Sequence, residues 1–104
     1  MTVAGEAGEA VRKDIVIAGG VRTAVGAFNG GLSSVPASYL GTAAITEAMK
    51  RSNVEAGDVD EVVLGQILTA AQGQNPARQA AINAGIPVER TAYGINQLCG
   101  SGLR

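Results

Sequence analysis

The sequence predicts an α/β fold, in which helices pack against a mainly parallel sheet. The first observation is that short β-branched runs alternate along the chain with segments whose apolar residues recur every three or four positions. The second is composition: hydrophobic residues make up 46% of the 104 residues and aromatic residues only 3%, so small aliphatic side chains provide the apolar mass. The third is length, since about 100–150 residues is typical of one domain. We therefore expect one domain at most, with closely packed layers.

The N-terminal part is predicted to contain a tail, a strand and a loop. Residues 1–12 are rich in Ala, Gly and Glu without periodicity and predict a flexible tail, which leaves 13–104 as the folded part. The apolar run at 15–18 (IVIA) is short and β-branched, which is typical of a strand buried on both faces. Residues 21–35 are rich in Gly and Ser and predict a long loop.

A first helix is predicted over residues 37–52. Pro36 suits a helix start because its missing N–H would have no partner in the first turn. Apolar residues recur at helical spacing along one predicted face, and the basic residues at 50 and 51 suit a helix C-terminus. That apolar face comprises Leu40, Ala43, Ala44 and Ala48.

The second half of the chain continues the alternation. Residues 62–64 predict a second buried strand, and Asn75 followed by Pro76 predicts the cap and first residue of a second helix. That helix should stop at Gly85, and residues 91–96 predict a third strand. A third helix should open after Cys99, and the sequence stops at about its first turn. Strand, helix, strand, helix, strand is the order that builds a parallel sheet.

Composition excludes several classes of function. Eight basic against nine acidic residues argue against a binder of nucleic acid or of a membrane surface. One cysteine excludes an intrachain disulfide and a multi-cysteine zinc site, and the absence of histidine removes the commonest general base and metal ligand. No apolar run approaches the ~20 residues of a membrane span, and the acidic opening is unlike a secretory signal. A soluble, cytoplasmic protein without metal or cofactor is therefore expected.

Cys99 is the candidate nucleophile. Between a strand end and a helix start, unpaired backbone N–H groups and the positive end of the helix would face its sulfur and favour the thiolate, the reactive form. The same N–H groups could stabilise an oxyanion on a bound thioester. The alternative is that Cys99 is a small buried hydrophobe, which is the commoner fate of an isolated cysteine. Local chemistry alone leaves both interpretations open.

Other polar and glycine-rich features favour structural roles. The glycines at 19–31 fit neither common phosphate-loop spacing, so loop geometry explains them best. Arg22 follows the first predicted strand and could anchor that loop. Asn75 and Arg78 are most simply a helix cap and a residue on a solvated face. A solvated turn is the simplest account of the acidic residues Asp58, Asp60 and Glu61.

Four stretches in order make the chain resemble the N-terminal portion of thiolases, most closely the bacterial biosynthetic type. The most specific is residues 96–104 (NQLCGSGLR), which surrounds Cys99. Several motifs in the right order make chance an unsatisfactory explanation. The other three are residues 22–26 (RTAVG), 64–66 (LGQ) and 73–79 (GQNPARQ).

The resemblance implies a layered α/β/α domain with a mixed, mainly parallel sheet, of which this sequence would be the first part. It implies that Cys99 is the cysteine that becomes acetylated while two acetyl-CoA molecules are joined into acetoacetyl-CoA and coenzyme A, or in the reverse cleavage. The Cys99 backbone N–H would help form an oxyanion hole. Residues 74–78 would lie near a subunit interface, and the strand before Cys99 would pair with its twin in a homodimer or homotetramer.

The same resemblance implies catalytic groups that these 104 residues lack. Thiolases also use a histidine that activates the nucleophile, a second cysteine that moves a proton, and an asparagine-held water with another histidine. With no histidine and one cysteine, the chain alone is expected to be inactive. Two alternatives remain open: a non-catalytic α/β interaction module, and a relative of the β-ketoacyl synthases, which share the fold and a cysteine nucleophile.

Overall fold

The computed structural model describes residues 12–104 and confirms the α/β class. Two helices, α1 (Ala37–Ser52) and α2 (Pro76–Asn83), accompany two strands, β1 (Glu61–Gly65) and β2 (Thr91–Ile95). Single 3-10 turns occur at Ala56–Asp58 and Ser101–Leu103. The predicted tail at 1–12 lies, except for Arg12, outside the described residues. In the described part of the chain, no helix has the length and apolarity to cross a membrane.

The two strands, β1 and β2, pair in parallel, and helix α2 lies in the chain segment that connects them. Val62 lies beside Ala92 and Val63 beside Tyr93 in the register of the pair. Because side chains alternate between faces, the side chains of Val62 and Leu64 point to the helices. The side chain of Val63 points to the other face, and a Cβ on Gly65 would do the same. The predicted second and third strands are thus confirmed, and their parallel order puts both carboxyl ends at one edge of the sheet.

The core lies between the helices and one sheet face, and small residues dominate it. Ala80 is fully buried against α1, where a Cβ on Gly41 would lie 3.1 Å from the Ala80 Cβ. The α1 side chains that reach the core are Ile45 and Met49, whereas Ala43, predicted to be on the packing face, is exposed. Apolar residues occur on several sides of α1, so their spacing alone did not determine which face of the helix packs against the core. The low aromatic content does permit the close helix packing that was predicted.

The predicted first strand is wrong for the described structure. Residues 15–18 adopt no strand, and Ile15 and Ile17 are 98% and 100% exposed. A buried strand needs a hydrogen-bonded neighbour and a covered face. Within residues 12–104, β1 and β2 pair with each other and neither pairs with this segment. The apolar run therefore has the composition of a buried strand without its partners.

The predicted third helix is a single 3-10 turn at Ser101–Leu103, on the face of the sheet that α1 and α2 leave open. Val63 and Tyr93 on that face are 40% and 45% exposed. The described residues therefore form two full layers, with one turn on the second sheet face.

Candidate active site

Cys99 lies on a tight turn between the end of β2 and the 3-10 turn at Ser101–Leu103. The strand ends at Ile95, and the residue before the cysteine, Leu98, has a φ of 51°. A left-handed backbone costs an L-residue other than glycine about 1 kcal/mol, so the surroundings must hold it. The predicted placement of Cys99, between a strand end and a helical turn, is confirmed.

Two side chains fix the peptides on either side of Leu98. The Leu98 N–H donates to Asn96 Oδ1 at 2.9 Å. Ser101 Oγ accepts from the Gln97 N–H at 2.8 Å and donates to the Leu98 carbonyl at 2.7 Å. We define the Cys99 turn as residues 96–101. Its conformation is thus held by the side chains of Asn96 and Ser101 as well as by backbone hydrogen bonds.

The backbone N–H groups that follow Cys99 are used within the turn. The Gly100 N–H donates to the Gln97 carbonyl and the Ser101 N–H to the Leu98 carbonyl, both at 3.0 Å. These bonds leave the Cys99 N–H itself unused by the turn. Because a three-residue 3-10 turn carries few aligned peptides, the dipole expected from a full third helix is not present in the described residues. The Cys99 N–H is the group here that could donate to an oxyanion.

The cysteine is a free thiol and is exposed, so the alternative of a small buried hydrophobe is wrong for the described structure. An exposed sulfur beside a rigid backbone can attack an electron-poor carbonyl carbon and form a thioester. The chain has no second cysteine with which it could form a disulfide. The arrangement therefore leaves the thiol accessible for nucleophilic chemistry, of which acyl transfer is one form.

Ser101 connects the Cys99 turn to the sheet. It is buried, with 7% of its surface exposed, and lies against β1 at Gly65. A Cβ on Gly65 would lie 2.8 Å from the Ser101 Cβ and carbonyl carbon, which is too close for two unbonded carbons. Gly65 belongs to the 64–66 stretch that was singled out in the sequence. The glycine is therefore required by the close approach of the turn.

The 73–79 stretch has a structural role in this chain. Asn75 caps α2, with its Oδ1 accepting from the Arg78 N–H at 2.9 Å, and its Nδ2 donates to the Ala92 carbonyl of β2 at 3.0 Å. Arg78 was predicted to lie on a solvated face, but its guanidinium donates to the carbonyls of Val88 and Arg90, both at 2.9 Å. The predicted cap is confirmed, and Arg78 instead fixes the connection from α2 to β2.

An open cleft of about 430 Å³ lies at the carboxyl ends of the two strands. Its lining includes Gln66, Asn75 and Asn96, so it adjoins the start of the Cys99 turn. No charged side chain lines this cleft. It can hold neutral polar groups, but a phosphate would find no ionic partner there.

The remaining candidates stay apart from the Cys99 turn. Arg22 donates to the carbonyl of its neighbour Thr23 at 2.9 Å, an exposed contact within its own segment that ties the predicted loop to no other element. Asp58 accepts from the Glu55 N–H at 3.3 Å, and Asp60 pairs with Arg90 at 3.3 Å. No group of His, Cys, Asp or Glu within 12–104 could hold a metal ion. Asp58 and Asp60 thus lie on a solvated turn, as predicted, whereas Glu61 is the exposed first residue of β1, where its Oε2 accepts from the Thr91 hydroxyl at 3.5 Å.

Asn96 and Ser101 were not among the residues predicted to be functional. Both stood in the 96–104 motif, and their side chains are the ones that hold the turn. The signal available in the sequence was the residue type: Asn and Ser in a small-residue turn commonly bind nearby backbone groups through their side chains.

Comparison with known proteins gives one consistent family. Residues 15–104 match the family model described as the thiolase N-terminal domain. An acetyl-CoA acetyltransferase of Rhizobium meliloti (strain 1021) is 63% identical over 90 residues, and one of Shinella zoogloeoides is 60% identical over 90 residues. In both cases the match covers 86% of this chain but 23% of the relative, so the chain spans about a quarter of their length.

Two further matches agree. A shorter acetyl-CoA acetyltransferase sequence from Clostridioides difficile is 54% identical over 92 residues, covering 88% of this chain and 86% of that one. A crystal structure of a thiolase from Ascaris suum in complex with coenzyme A superposes with a TM-score of 0.76 at 38% identity, over 78% of this chain and 21% of that one. Sequence and fold comparisons thus lead to the same family.

Proposed function

The chain belongs to the thiolase family, and on that premise we propose that residues 13–104 form the first part of a thiolase N-terminal domain and carry its acyl-accepting cysteine. The observation that carries the proposal is Cys99, an exposed thiol on a turn fixed by its own side chains, inside the stretch that matches the family model. The relatives are named acetyl-CoA acetyltransferases, which supports acetyl-CoA as the substrate.

The proposed reaction joins two acetyl groups in two steps. In the first, the Cys99 thiolate attacks the carbonyl carbon of acetyl-CoA, the bond from that carbon to the coenzyme A sulfur breaks, and coenzyme A leaves as a thiol with the proton that Cys99 gave up. In the second, another acetyl-CoA loses a methyl proton to a base. The resulting carbanion attacks the acetyl-Cys99 carbonyl, so that acetoacetyl-CoA forms and the Cys99 thiolate is released. The reverse sequence cleaves acetoacetyl-CoA.

The chain's own contribution is the nucleophile and part of its electrostatic surroundings. The Cys99 N–H, left unused by the turn, is the proposed donor to the oxyanion that forms as a thioester is attacked. The proton-transfer groups that the resemblance implies, histidines and a second cysteine, are not among these 104 residues. We therefore propose that the 104-residue chain has no turnover by itself. Coenzyme A thioesters are substrates in this proposal, and no cofactor or metal takes part.

The proposed assembly is a homodimer or homotetramer in the cytoplasm. Within the described residues, β2 pairs with β1 on one side and with no strand on the other, and this open edge supports pairing with a second copy. The cap of α2 at Asn75 donates to Ala92 of that same strand, which would place residues 74–78 near the same interface. The pathway that the enzyme serves would be fatty acid or polyhydroxyalkanoate metabolism.

The proposal is tested by following acetyl transfer to Cys99. The complete gene product that contains this sequence is incubated with acetyl-CoA, and the peptide that carries Cys99 is analysed by mass spectrometry while acetoacetyl-CoA formation is measured. We expect one acetyl group on Cys99, and Cys99→Ala should lower turnover by about 1000-fold or more. Ser34→Ala, an exposed loop position, is the matched control and should retain parental turnover.

The outcomes separate the alternatives. Parental turnover in Cys99→Ala would reject Cys99 as the nucleophile. No acetylation and no turnover in the parent would favour an interaction module, and acylation of Cys99 from an acyl carrier protein but not from acetyl-CoA would favour a β-ketoacyl synthase activity. The isolated 104-residue chain, assayed alongside, should give no acetoacetyl-CoA.

A further inference from the structure

We propose that Ser101 and Asn96 are positioning residues for Cys99: their side chains hold the peptides around Leu98 so that the Cys99 sulfur and N–H face an incoming thioester together. This inference rests on the proposed function, because it assigns a role relative to a nucleophilic Cys99. The residues themselves do not touch the substrate in this proposal. They act through the backbone of the Cys99 turn.

The side chains of Ser101 and Asn96 bind the backbone on each side of Leu98, the residue before the cysteine. Ser101 Oγ accepts from the Gln97 N–H at 2.8 Å and donates to the Leu98 carbonyl at 2.7 Å, so a single hydroxyl joins two successive residues. Asn96 Oδ1 accepts from the Leu98 N–H at 2.9 Å. The Leu98 carbonyl belongs to the peptide whose N–H is that of Cys99. The orientation of the proposed oxyanion donor is therefore set by Ser101, through its hydroxyl and through its backbone N–H, which also donates to the Leu98 carbonyl at 3.0 Å.

The left-handed backbone at Leu98 depends on hydrogen bonds rather than on packing of its own side chain. Leu98 has a φ of 51° and its side chain is 66% exposed, so packing of that side chain does little to hold the left-handed backbone. Hydrogen bonds to both sides of the residue must do so instead. Because the nucleophile is the next residue, any rotation at Leu98 moves the Cys99 N–H and sulfur.

Ser101 is itself fixed by its contact with the sheet. Its side chain is buried against Gly65 of β1, and a Cβ on Gly65 would collide with it. The Ser101 side chain packs against the sheet, and its hydroxyl binds the backbone of the Cys99 turn. The position of the turn, and with it that of the cysteine, is therefore fixed relative to the sheet. Rigid placement on a regular element is what a reacting group needs, because misplacement by about 1 Å can lower a rate about 100-fold.

The test compares variants of the complete gene product in acetyl transfer. Ser101→Ala removes the hydroxyl and keeps the carbon that lies against Gly65. Ser38→Ala is the matched control, because Ser38 is also a serine with 7% exposure but lies on α1, across the sheet from the Cys99 turn. Each variant is measured for kcat, for the KM of acetyl-CoA, for the single-turnover rate of Cys99 acetylation and for its melting temperature.

We expect Ser101→Ala to lower kcat and the acetylation rate by about 10- to 100-fold, with KM changed by less than about threefold. Its melting temperature should lie within about five degrees below that of Ser38→Ala, because the variant loses the two hydrogen bonds of the Ser101 hydroxyl. A large fall in kcat with little change in KM and melting temperature indicates a positioning role. A loss of structure would instead lower the melting temperature strongly. A Ser101→Ala enzyme with kcat within about twofold of Ser38→Ala would overturn the proposal.

A second pair of variants decides the matter if Ser101→Ala melts far below its control. Asn96→Ala changes an exposed residue and removes the acceptor for the Leu98 N–H, and it should show the same loss of kcat. Asn96→Ser keeps an oxygen that can bind the same N–H in a serine turn and should recover part of that loss. Parental kcat in Asn96→Ala, or no recovery in Asn96→Ser, overturns the proposal.

Different outcomes would contradict the proposed function of Cys99 and the positioning role of Ser101 and Asn96. If Cys99→Ala is acetylated elsewhere and turns over at the parental rate, the assignment of the nucleophile is wrong whatever the Ser101 variants do. If Cys99→Ala is inactive and Ser101→Ala and Asn96→Ala are parental, the nucleophile stands and the positioning role falls.

Discussion

Arg78 and Asn75 show how single side chains connect elements of this chain. Asn75 joins the start of α2 to β2, and Arg78, one turn along the helix, reaches the carbonyls of Val88 and Arg90 in the connection before β2. Hydrogen bonds from a charged donor stabilise more than neutral ones do, and of these two the bond to Arg90 is half-buried and the bond to Val88 is exposed. These two residues therefore fix the distance between the helix and the strand that leads to Cys99.

We expect Arg78→Ala to lower the free energy of unfolding by about 2 kcal/mol, because two backbone carbonyls lose a charged donor. The measurement is urea unfolding of the complete gene product followed by circular dichroism. Arg51→Ala is the control, since Arg51 forms an exposed pair with Glu47 on α1. An effect of Arg78→Ala no larger than that of Arg51→Ala would contradict the role given to Arg78.

The Arg51–Glu47 ion pair, which the control variant Arg51→Ala removes, depends on pH. The hydrogen bond from Arg51, helped by the charge of Lys50, lowers the pKa of Glu47 below its ordinary value. A lowered folded-state pKa means that the pair contributes at neutral pH and that its contribution is lost as acid protonates Glu47. Because the pair is exposed, solvent screens it and the contribution is small.

At the scale of elements, both helices end in the same way but with different residues. After α2, the Gly85 N–H donates to the Ile82 carbonyl and the Ile86 N–H to the Ala81 carbonyl, both at 3.0 Å, with a φ of 89° at Gly85. This is the Schellman arrangement, and its usual apolar contact is present because Ile86 and Ala81 belong to the core. After α1, Asn53 takes the same position with a φ of 58°.

We expect Gly85→Ala to destabilise the protein by about 1 kcal/mol, since alanine resists the left-handed backbone although the space around Gly85 is open. Gly57→Ala is the matched control: its surroundings are also open, its φ is not in the left-handed region, and we expect no loss. Thermal melts of the two variants give the comparison. Equal melting temperatures would show that the end of α2 does not depend on the glycine conformation.

At the scale of the whole molecule, one face of the sheet is covered and the other is largely open. α1 and α2 pack on the face of Val62, whereas Val63 and Tyr93 on the opposite face remain partly exposed. Three of the five buried apolar residues of the described part are alanines, and none of its large side chains is fully buried. Hydrophobic stabilisation scales with buried apolar area, so this core is a weak one for 104 residues.

We therefore expect the isolated 104-residue chain to melt over a broad temperature range and to bind a hydrophobic dye such as ANS at neutral pH. The open sheet face and the exposed residues 15–17 supply the apolar surface for the dye. Circular dichroism at low protein concentration and dye fluorescence make the measurement, with the complete gene product as the control. A sharp, cooperative melt without dye binding would contradict the expectation.

The local features of the fold followed from the sequence because their causes lie within a few residues. The bounds of α1, the cap at Asn75, the stop at Gly85 and the turn around Cys99 depend on which residue can adopt a given backbone angle or accept a nearby N–H. The match of Cys99 to a family motif also needed no structure. These features depend on residues that are neighbours in the sequence, so they can be predicted from the sequence alone.

Only the tertiary structure decided which apolar surfaces find partners and which side chains reach across elements. Residues 15–18 and 62–64 have the same β-branched character, yet the second run pairs with β2 and the first is exposed, because strand pairing depends on a neighbour that a local run does not specify. In the same way, Arg78 reaches the connection before β2, and Ser101 lies against Gly65 to hold the Cys99 turn. Contacts between residues distant in sequence are set by how the elements pack, and no local spacing contains that information.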